Sequence, residues 1–340
     1  MDYKLSVFIG RFQPFHKAHL EVALQGLEIA EKLLIIIGSA KAARNIKNPW
    51  TFEERKSMVL SCFSPQQRER IEILPIRDYF YSDSIWVADI QSKVSQFAHE
   101  GDSVALLGSY KDSSSYYINL FPQWEFVPAK TKSSLNATDV REVVFNSEGQ
   151  IADVLDKIPE SVGQWLMDSF FGSETHASLI QEAAFVQKYR DQWKGSPFPP
   201  TFVTVDAVVV CAGHVLVVRR KFNPGKGLIA LPGGFIKNSE RIEDAAVREL
   251  KEETGIFVDK KVLRGSIVES HVFDYPGRSL RGRTITHAFL IKLDLGYLPQ
   301  VRGGDDAEVA RWIPLLDASA NEADFYEDHH SIIQYFISRI

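Results

Sequence analysis

The chain has 340 residues, 45% hydrophobic and 24% charged, with a formal net charge of −5. That length exceeds one ordinary small domain and predicts two, and the apolar share is enough for packed cores, which excludes a disordered chain. Weak acidity without a run of five or more like charges argues against a nucleic-acid or membrane-surface protein, and the only cysteines, Cys62 and Cys211, exclude a disulfide framework and a zinc site, so a reduced, cytoplasmic setting is expected.

In chain order, the opening MDYKLSVFIG lacks the apolar core of a signal peptide, and no apolar run approaches the roughly 20 residues of a membrane span. Strands are predicted at 5–9, 32–37, 71–74, 104–107 and 126–127, with helices at 18–30, 51–62 (Thr51 its N-cap) and 85–97. This alternation implies an α/β fold with a parallel, doubly wound sheet. The GxGxxG fingerprint is missing after the first strand, which argues against a dinucleotide-binding dehydrogenase. The run Ser113-Ser114-Ser115-Tyr116-Tyr117 reads as a polar loop.

In place of that fingerprint stand His16-Lys17-Ala18-His19, opening the first helix. Imidazoles at i and i+3 share a face, beside exposed amides at the positive helix end, where phosphates bind well. The tetrad resembles the HxGH signature of the nucleotidyltransferase superfamily. The longer stretches GRFQPFHKAHL and GSAKAARNIKNPWTFEER are similar to the archaeal-type nicotinamide mononucleotide (NMN) adenylyltransferases. One departure is Ala18 where the signature has Gly; its methyl group could crowd an approaching nucleotide. Further on, Asn136-Ala137-Thr138-Asp139-Val140-Arg141 resembles the family's (S/T)xxR helix start. The resemblance implies a Rossmann-like domain over 1–194 that makes NAD and pyrophosphate from NMN and ATP, with Mg²⁺ accompanying the ATP. It implies His16, His19 and Arg141 as catalytic residues. Gly10, Arg11, Phe12, Lys47 and Thr138 would bind the nucleotides, and Trp86 would stack on the nicotinamide ring. Such a transfer needs in-line alignment and charge neutralisation more than acid–base work. Taken singly, an HxxH pair is an ordinary surface pair, Trp86 a core residue and Lys47 a solvated lysine; their co-occurrence carries the assignment.

Residues 151–193 read as helices broken at Pro159 and at 171–173, and GSPFPP (195–200) as a stiff Pro-rich linker between the domains. Strands follow at 201–211 and 215–219 around an Ala212-Gly213-His214 hairpin, then at 262–273, 284–293 and 309–313. Between them lies LPGGFIKNSERIEDAAVRELKEETGI (231–256). Residues 241–254 have helical composition and Gly255 is a stop; Ala245, Ala246 and Leu250 supply a packing face. At ~100° per residue, Glu249, Glu252 and Glu253 fall within about 100° of arc, a carboxylate stripe suited to Mg²⁺ or Mn²⁺ with phosphate oxygens. Arg248 lies one turn from Glu252 and can also reach Glu240. A bland acidic helix face would read similarly, but not with this turn and spacing before it. Gly234, Glu240, Arg248, Glu249, Leu250, Glu252, Glu253, Gly255 and Ile256 fit the Nudix box at every fixed position, and the segment resembles the Nudix hydrolases.

That resemblance implies a Nudix α/β/α sandwich with a mixed sheet over 201–340. Glu249, Glu252 and Glu253 would be catalytic and metal-binding, with the Gly233 backbone as a ligand; Glu308 and Glu269 are candidates for a further ligand or general base. Arg219, Arg220 and Lys221 end a strand before the glycine-rich loop and could face phosphates. His329 and His330 read as helix-start residues. HVFDYPGRSLRGRTITHAFLI (271–291) resembles ADP-ribose pyrophosphatases. Together the halves resemble the bifunctional NMN adenylyltransferase/Nudix hydrolases, whose second activity would split ADP-ribose into AMP and ribose 5-phosphate. The implied partners are ATP, NMN, NAD and ADP-ribose, with no nucleic acid or membrane; a homo-oligomer is left open. Two alternatives stay open: other substrates, such as nicotinic acid mononucleotide, NADH or an oxidised nucleotide, or a second half that senses ADP-ribose without turning it over.

Overall fold

The computed structural model describes residues 1–108, 113–131, 135–145, 151–304 and 306–339. They form two compact units, Met1–Ala183 and Ala184–Ile340. The expected connector at 195–200 falls inside the second unit.

In the first unit, β1 (Tyr3–Gly10), β2 (Ala30–Ile37), β3 (Ile71–Pro75), β4 (Val104–Gly108) and β5 (Glu125–Pro128) make a parallel sheet ordered β3-β2-β1-β4-β5. The β2 run shows why: Leu33, Ile35 and Ile37 enter one hydrophobic cluster and Leu34 and Ile36 another, so both faces are covered. Helices α1 (Lys17–Ile29), α2 (Phe52–Ser61), α3 (Pro65–Arg68) and α4 (Asp83–Val94) fill the crossovers. Thr51 caps α2 in a reciprocal box: its hydroxyl accepts from the Glu54 amide at 3.3 Å, and the Glu54 carboxylate accepts from the Thr51 amide at 2.7 Å. The run expected as a loop at 113–117 instead belongs to a 3₁₀ helix, Ser113–Leu120, whose Tyr117 packs with Trp86 in the sheet's second cluster. The apolar Ile118 and Leu120 beyond the serines supply the packing that a polar loop would lack. Beyond the sheet, α5 (Ala137–Val144), a short 3₁₀ turn (Ile151–Val154), α6 (Glu160–Ser169) and α7 (Glu174–Asp191) join Trp50 and Met58 in a third cluster.

The second unit carries a mixed seven-stranded sheet. Its path runs β10 (Ile267–Phe273), β11 (Thr284–Leu293), β6 (Phe202–Cys211), β7 (His214–Arg220), β12 (Ala307–Pro314), with β8 (Ile229–Ala230) on β7 and β9 (Gly233–Phe235) on β6. Only β11 and β6 pair in parallel along that path. Helix α8 (Ile242–Thr254) ends on Gly255 in the left-handed region (φ 51°) and buries Val247 and Leu250 against Ala207, Val209 and Leu216. The strand expected from 262 starts only at Ile267. Residues Lys260–Gly265 form α9, because the Asp259 side chain caps them at the Lys261 amide and Leu263 alone turns inward. Two further helices, α10 (Leu315–Ala320) and α11 (His329–Ile337), close the unit. No helix among the described residues is long and apolar enough to cross a membrane.

Two candidate active sites

The first unit's strand order reverses between β1 and β4, and ligands of such sheets bind beyond the strand ends at that point. The chain leaves β1 there through Gly10 and Arg11. Phe12 follows at φ 51°, tucking its ring back so that a Cβ on Gly10 would lie 2.7 Å from it. This corrects the expectation for Phe12: its ring is 1% exposed, meets Phe8 and stands edge-on to His19 at 4.9 Å. The ring supports the imidazole from within the core, which leaves the backbone as the part of Phe12 that a nucleotide could reach.

His16 is the N-cap of α1. Its Nδ1 accepts from the His19 amide at 3.4 Å, the His19 Nδ1 accepts from the His16 amide at 3.3 Å, and the rings stack at 3.5 Å. The Lys17 amide donates to the Lys157 carbonyl. The exposed amides expected at this helix start are therefore mostly spent within the protein. What the pair offers is different: with Nδ1 accepting, a neutral ring carries its proton on Nε2, a donor suited to phosphate oxygen. Ala18, in the signature's Gly place, is buried.

Arg141 projects from α5. Its guanidinium donates to the Gln13 carbonyl at 2.7 Å and to the Thr138 hydroxyl at 3.0 Å. Burial lowers its pKa to about 10, and the neighbouring Arg11 charge adds to that. Arg55, lowered to about 10 mainly by burial, feels Arg11 too. Arg11 presses on both guanidinium groups; the Asp78 carboxylate, which accepts from the Ser39 hydroxyl at 3.0 Å, offsets part of this at Arg55, and phosphate oxygens suit the positive charge that remains. Arg55 donates to the carbonyls of Arg11, Gly38, Ser39 and Thr51, strapping together the turns after β1 and β2. Lys47 sits in a tight turn whose amides bond to the Asn45 side chain. Trp86 is half-buried, edge-on to Tyr117 at 5.9 Å. One hub escaped the sequence reading: Gln13, whose buried amide donates to the Trp50 carbonyl at 3.0 Å and accepts from the Trp50 amide at 3.1 Å, while its own carbonyl holds Arg141.

In the second unit, β9 pairs with β6 so closely that glycine is required. A Cβ on Gly233 would lie 2.2 Å from the Val205 carbonyl, and one on Gly234 would lie 2.7 Å from the Glu249 carboxylate. The Gly233 amide donates to Glu253 at 3.1 Å. Arg248 donates to both carboxylate oxygens of Glu240 (2.9 and 2.6 Å), to Glu249 (2.7 Å) and to Glu252 (2.8 Å). That hydrogen-bonded cation holds Glu240 down to about 2. Glu253 behaves oppositely. Burial pushes its carboxyl up to about 8, with Glu249 and Asp306 adding to the rise and the Gly233 amide and Arg220 opposing it. Glu249 is also raised, by burial first and against the pull of Arg248. Arg248 draws Glu249 and Glu252 toward itself, and among the described residues no three acidic, imidazole or thiol side chains form a closed metal cage. The donor set nevertheless fits a hard dication: all its side-chain ligands are carboxylates, two of them raised chiefly by burial and further by neighbouring carboxylates, and the cradle over Glu249 would be filled by a single Cβ on Gly234.

Arg219 and Arg220 do not both face this cluster. They are successive residues of β7 and point to opposite faces. Arg220 is the one that acts on Glu253; it lies 4.0 Å over the Tyr326 ring and donates to the Pro224 carbonyl. Glu308 is exposed beside the β12 bulge, and the further carboxylate bearing on Glu253 is Asp306. Glu269 pairs with Arg339 at 3.4 Å. A buried network lies behind the turn: the His329 Nδ1 accepts from the Leu231 amide at 2.9 Å, Arg278 grips Asp328 with two bonds, and Asp206 accepts from Thr286 at 2.6 Å. Its members are scattered along the sequence, from Asp206 to His329, so no single stretch discloses their contacts. We expect Gly233→Ala to destabilise the second unit by about 1–3 kcal/mol, the usual cost of overpacking, as read by chemical denaturation; an unchanged midpoint would show that β6 and β9 have room to part.

A NUDIX domain model matches residues 200–336 and a cytidylyltransferase-like model residues 7–143. The chain is 41% identical over 187 residues to the nicotinamide/nicotinic acid mononucleotide adenylyltransferase of Acinetobacter baylyi, covering 55% of this chain and 93% of that protein. It is 35% identical over 150 residues to the ADP-ribose pyrophosphatase of Methanocaldococcus jannaschii, covering 44% and 81%. A crystal structure of a bifunctional NMN adenylyltransferase/ADP ribose pyrophosphatase from Francisella tularensis, complexed with AMP and a Mn ion, matches at 38% identity and a TM-score of 0.92, covering 99% of both chains.

Proposed function

This chain belongs to the family of bifunctional NMN adenylyltransferase/ADP-ribose pyrophosphatases, and from that premise we propose the chemistry of its two sites. It is a nucleotidyltransferase in its first half and a Nudix hydrolase in its second. In the first, a phosphate oxygen of NMN attacks the α-phosphorus of ATP, and the bond to the departing pyrophosphate breaks as NAD forms. Arg11 and Arg141 neutralise the phosphates, the His16 and His19 Nε2–H groups orient them, and Lys47 contributes a further cation. Thr138 orients Arg141, and Trp86, half-buried and edge-on to Tyr117, would stack on the nicotinamide ring. In the second, water adds to one phosphorus of ADP-ribose and the pyrophosphate bond breaks, giving AMP and ribose 5-phosphate.

Divalent-metal dependence goes with the hydrolase, and we assign Mg²⁺, with Mn²⁺ able to replace it. Glu249, Glu252, Glu253 and the Gly233 backbone would hold the ion, which when bound supplies charge neutralisation at the pyrophosphate and a more acidic water. The Gly233 amide fixes Glu253, Arg248 fixes Glu249 and Glu252, and Arg220 brings positive charge to the phosphate side. A cytoplasmic location, where these nucleotides are pooled, accords with the reading. One observation supports it above the rest: the likeness to the bifunctional Francisella tularensis enzyme, at 38% identity, covers 99% of both chains, so the two halves are matched together.

The direct test is incubation of the whole chain with NMN, ATP and Mg²⁺, read by NAD formation; none above background would reject the transferase. For the hydrolase, we expect EDTA to abolish AMP release from ADP-ribose and added Mg²⁺ or Mn²⁺ to restore it. Hydrolysis that persists in chelator would reject the metal assignment.

A further inference from the structure

We infer that Glu182, on α7, is a positioning residue for adenylyl transfer: it locks the 44–49 turn and so aims Lys47. The inference rests on the proposed role of Lys47. In this turn the Asn45 Oδ1 accepts from the Lys47 amide (2.8 Å) and the Asn48 amide (2.9 Å). Arg44 donates to the Pro49 carbonyl (2.9 Å) and to Glu54 (2.8 Å). The Ile46 amide, next to Lys47, donates to the Glu182 carboxylate at 3.0 Å across 136 residues of sequence. With the amides of 46, 47 and 48 all bonded within the protein, the backbone that carries Lys47 is held in one conformation.

Glu182 lies outside the 7–143 stretch that matches the cytidylyltransferase-like model, and it is only 5% exposed. A carboxylate is costly to bury unless its bonds are made, so its place beneath the turn is a built feature. A second residue of α7 acts alike: the His176 Nε2 lies 2.9 Å from the Val144 carbonyl at the end of α5, the helix that carries Arg141. The helical tail therefore braces the nucleotide-binding residues from behind.

The experiment compares Glu182→Ala, Glu182→Gln, Lys47→Ala and the Glu182→Ala/Lys47→Ala pair in the full chain, with ADP-ribose hydrolysis as the control for folding. Loss of a charge-assisted bond should raise the KM for ATP or NMN about tenfold, with kcat changed by less than about threefold. Glu182→Gln, whose amide oxygen still accepts from Ile46, should recover most of that loss. The double variant should be no worse than Lys47→Ala alone. A wild-type KM in Glu182→Ala, additive losses in the double variant, or a Gln variant as poor as Ala would overturn the inference. So would parallel loss of both activities, which marks general damage. If Lys47→Ala keeps its KM while NAD is still made, the inference fails and the transferase assignment stands; absence of NAD formation by the unaltered chain would instead remove that assignment.

Discussion

Glu253→Gln is expected to lower ADP-ribose hydrolysis at least about a hundredfold, a barrier increase of about 2.7 kcal/mol, while NAD synthesis by the same chain continues. Glutamine has nearly the same shape, and its amide oxygen can still accept from the Gly233 amide, so the β9 turn should stay in place. What disappears is an ionisable oxygen ligand, which a bound dication would hold in its charged form, from a carboxylate cluster whose burial already raises two of its members. Loss of the bond geometry alone would cost far less, so the size of the effect separates a metal-ligating carboxylate from a structural one. Hydrolysis within about threefold of wild type would remove Glu253 from the metal set. Loss of both activities would mean that the substitution damages the fold.

Arg141→Ala is expected to reduce NAD formation by about 10²–10³-fold, the usual scale for deleting one preorganised charge stabiliser, and to leave hydrolysis untouched. Its guanidinium is already fixed by the Gln13 carbonyl and the Thr138 hydroxyl, so little ordering is left to be done when ATP arrives. Arg141→Lys should remain nearly as poor, because an ammonium cannot reproduce the two-pronged hold while also facing phosphate. A lysine variant with full activity would show that charge alone suffices; an alanine variant with full activity would sink the assignment. Gln13→Ala, which leaves the backbone carbonyl but removes both bonds to Trp50, should give a smaller loss of the same kind.

These features differ in how far the sequence disclosed them. The Nudix box was legible down to single contacts, because its chemistry is local: Arg248 meets Glu252 one helical turn away and Glu240 across one loop, so spacing alone dictates reach. The strands were legible as runs of buried aliphatics, but their order was not, since nothing near β1 in sequence says that its neighbours are β2 and β4. The same limit hid the supports of both sites. Gln13 and Trp50 are 37 residues apart, Leu231 and His329 are 98 apart, and Ile46 and Glu182 are 136 apart. Such bonds are tertiary, and each has a backbone amide or carbonyl as one partner, which no residue type advertises. The corrections have local causes. Phe12 looked available because it follows Arg11, yet a positive φ turns its ring into the core. Arg219 and Arg220 looked like a pair, yet strand alternation separates them. The 262–265 apolar pair fitted either helix or strand, and the Asp259 cap decided for helix.

The central claim is that one chain handles phosphates in two chemically separate ways, cations in the first unit and a metal-binding carboxylate cluster in the second. Phosphorus NMR of a single sample containing the chain, Mg²⁺, NMN, ATP and ADP-ribose tests it most directly. NAD and pyrophosphate should grow together, AMP and ribose 5-phosphate should grow together, and Glu253→Gln should silence only the second pair. A spectrum in which either pair never appears, or in which that substitution silences both, would contradict the account.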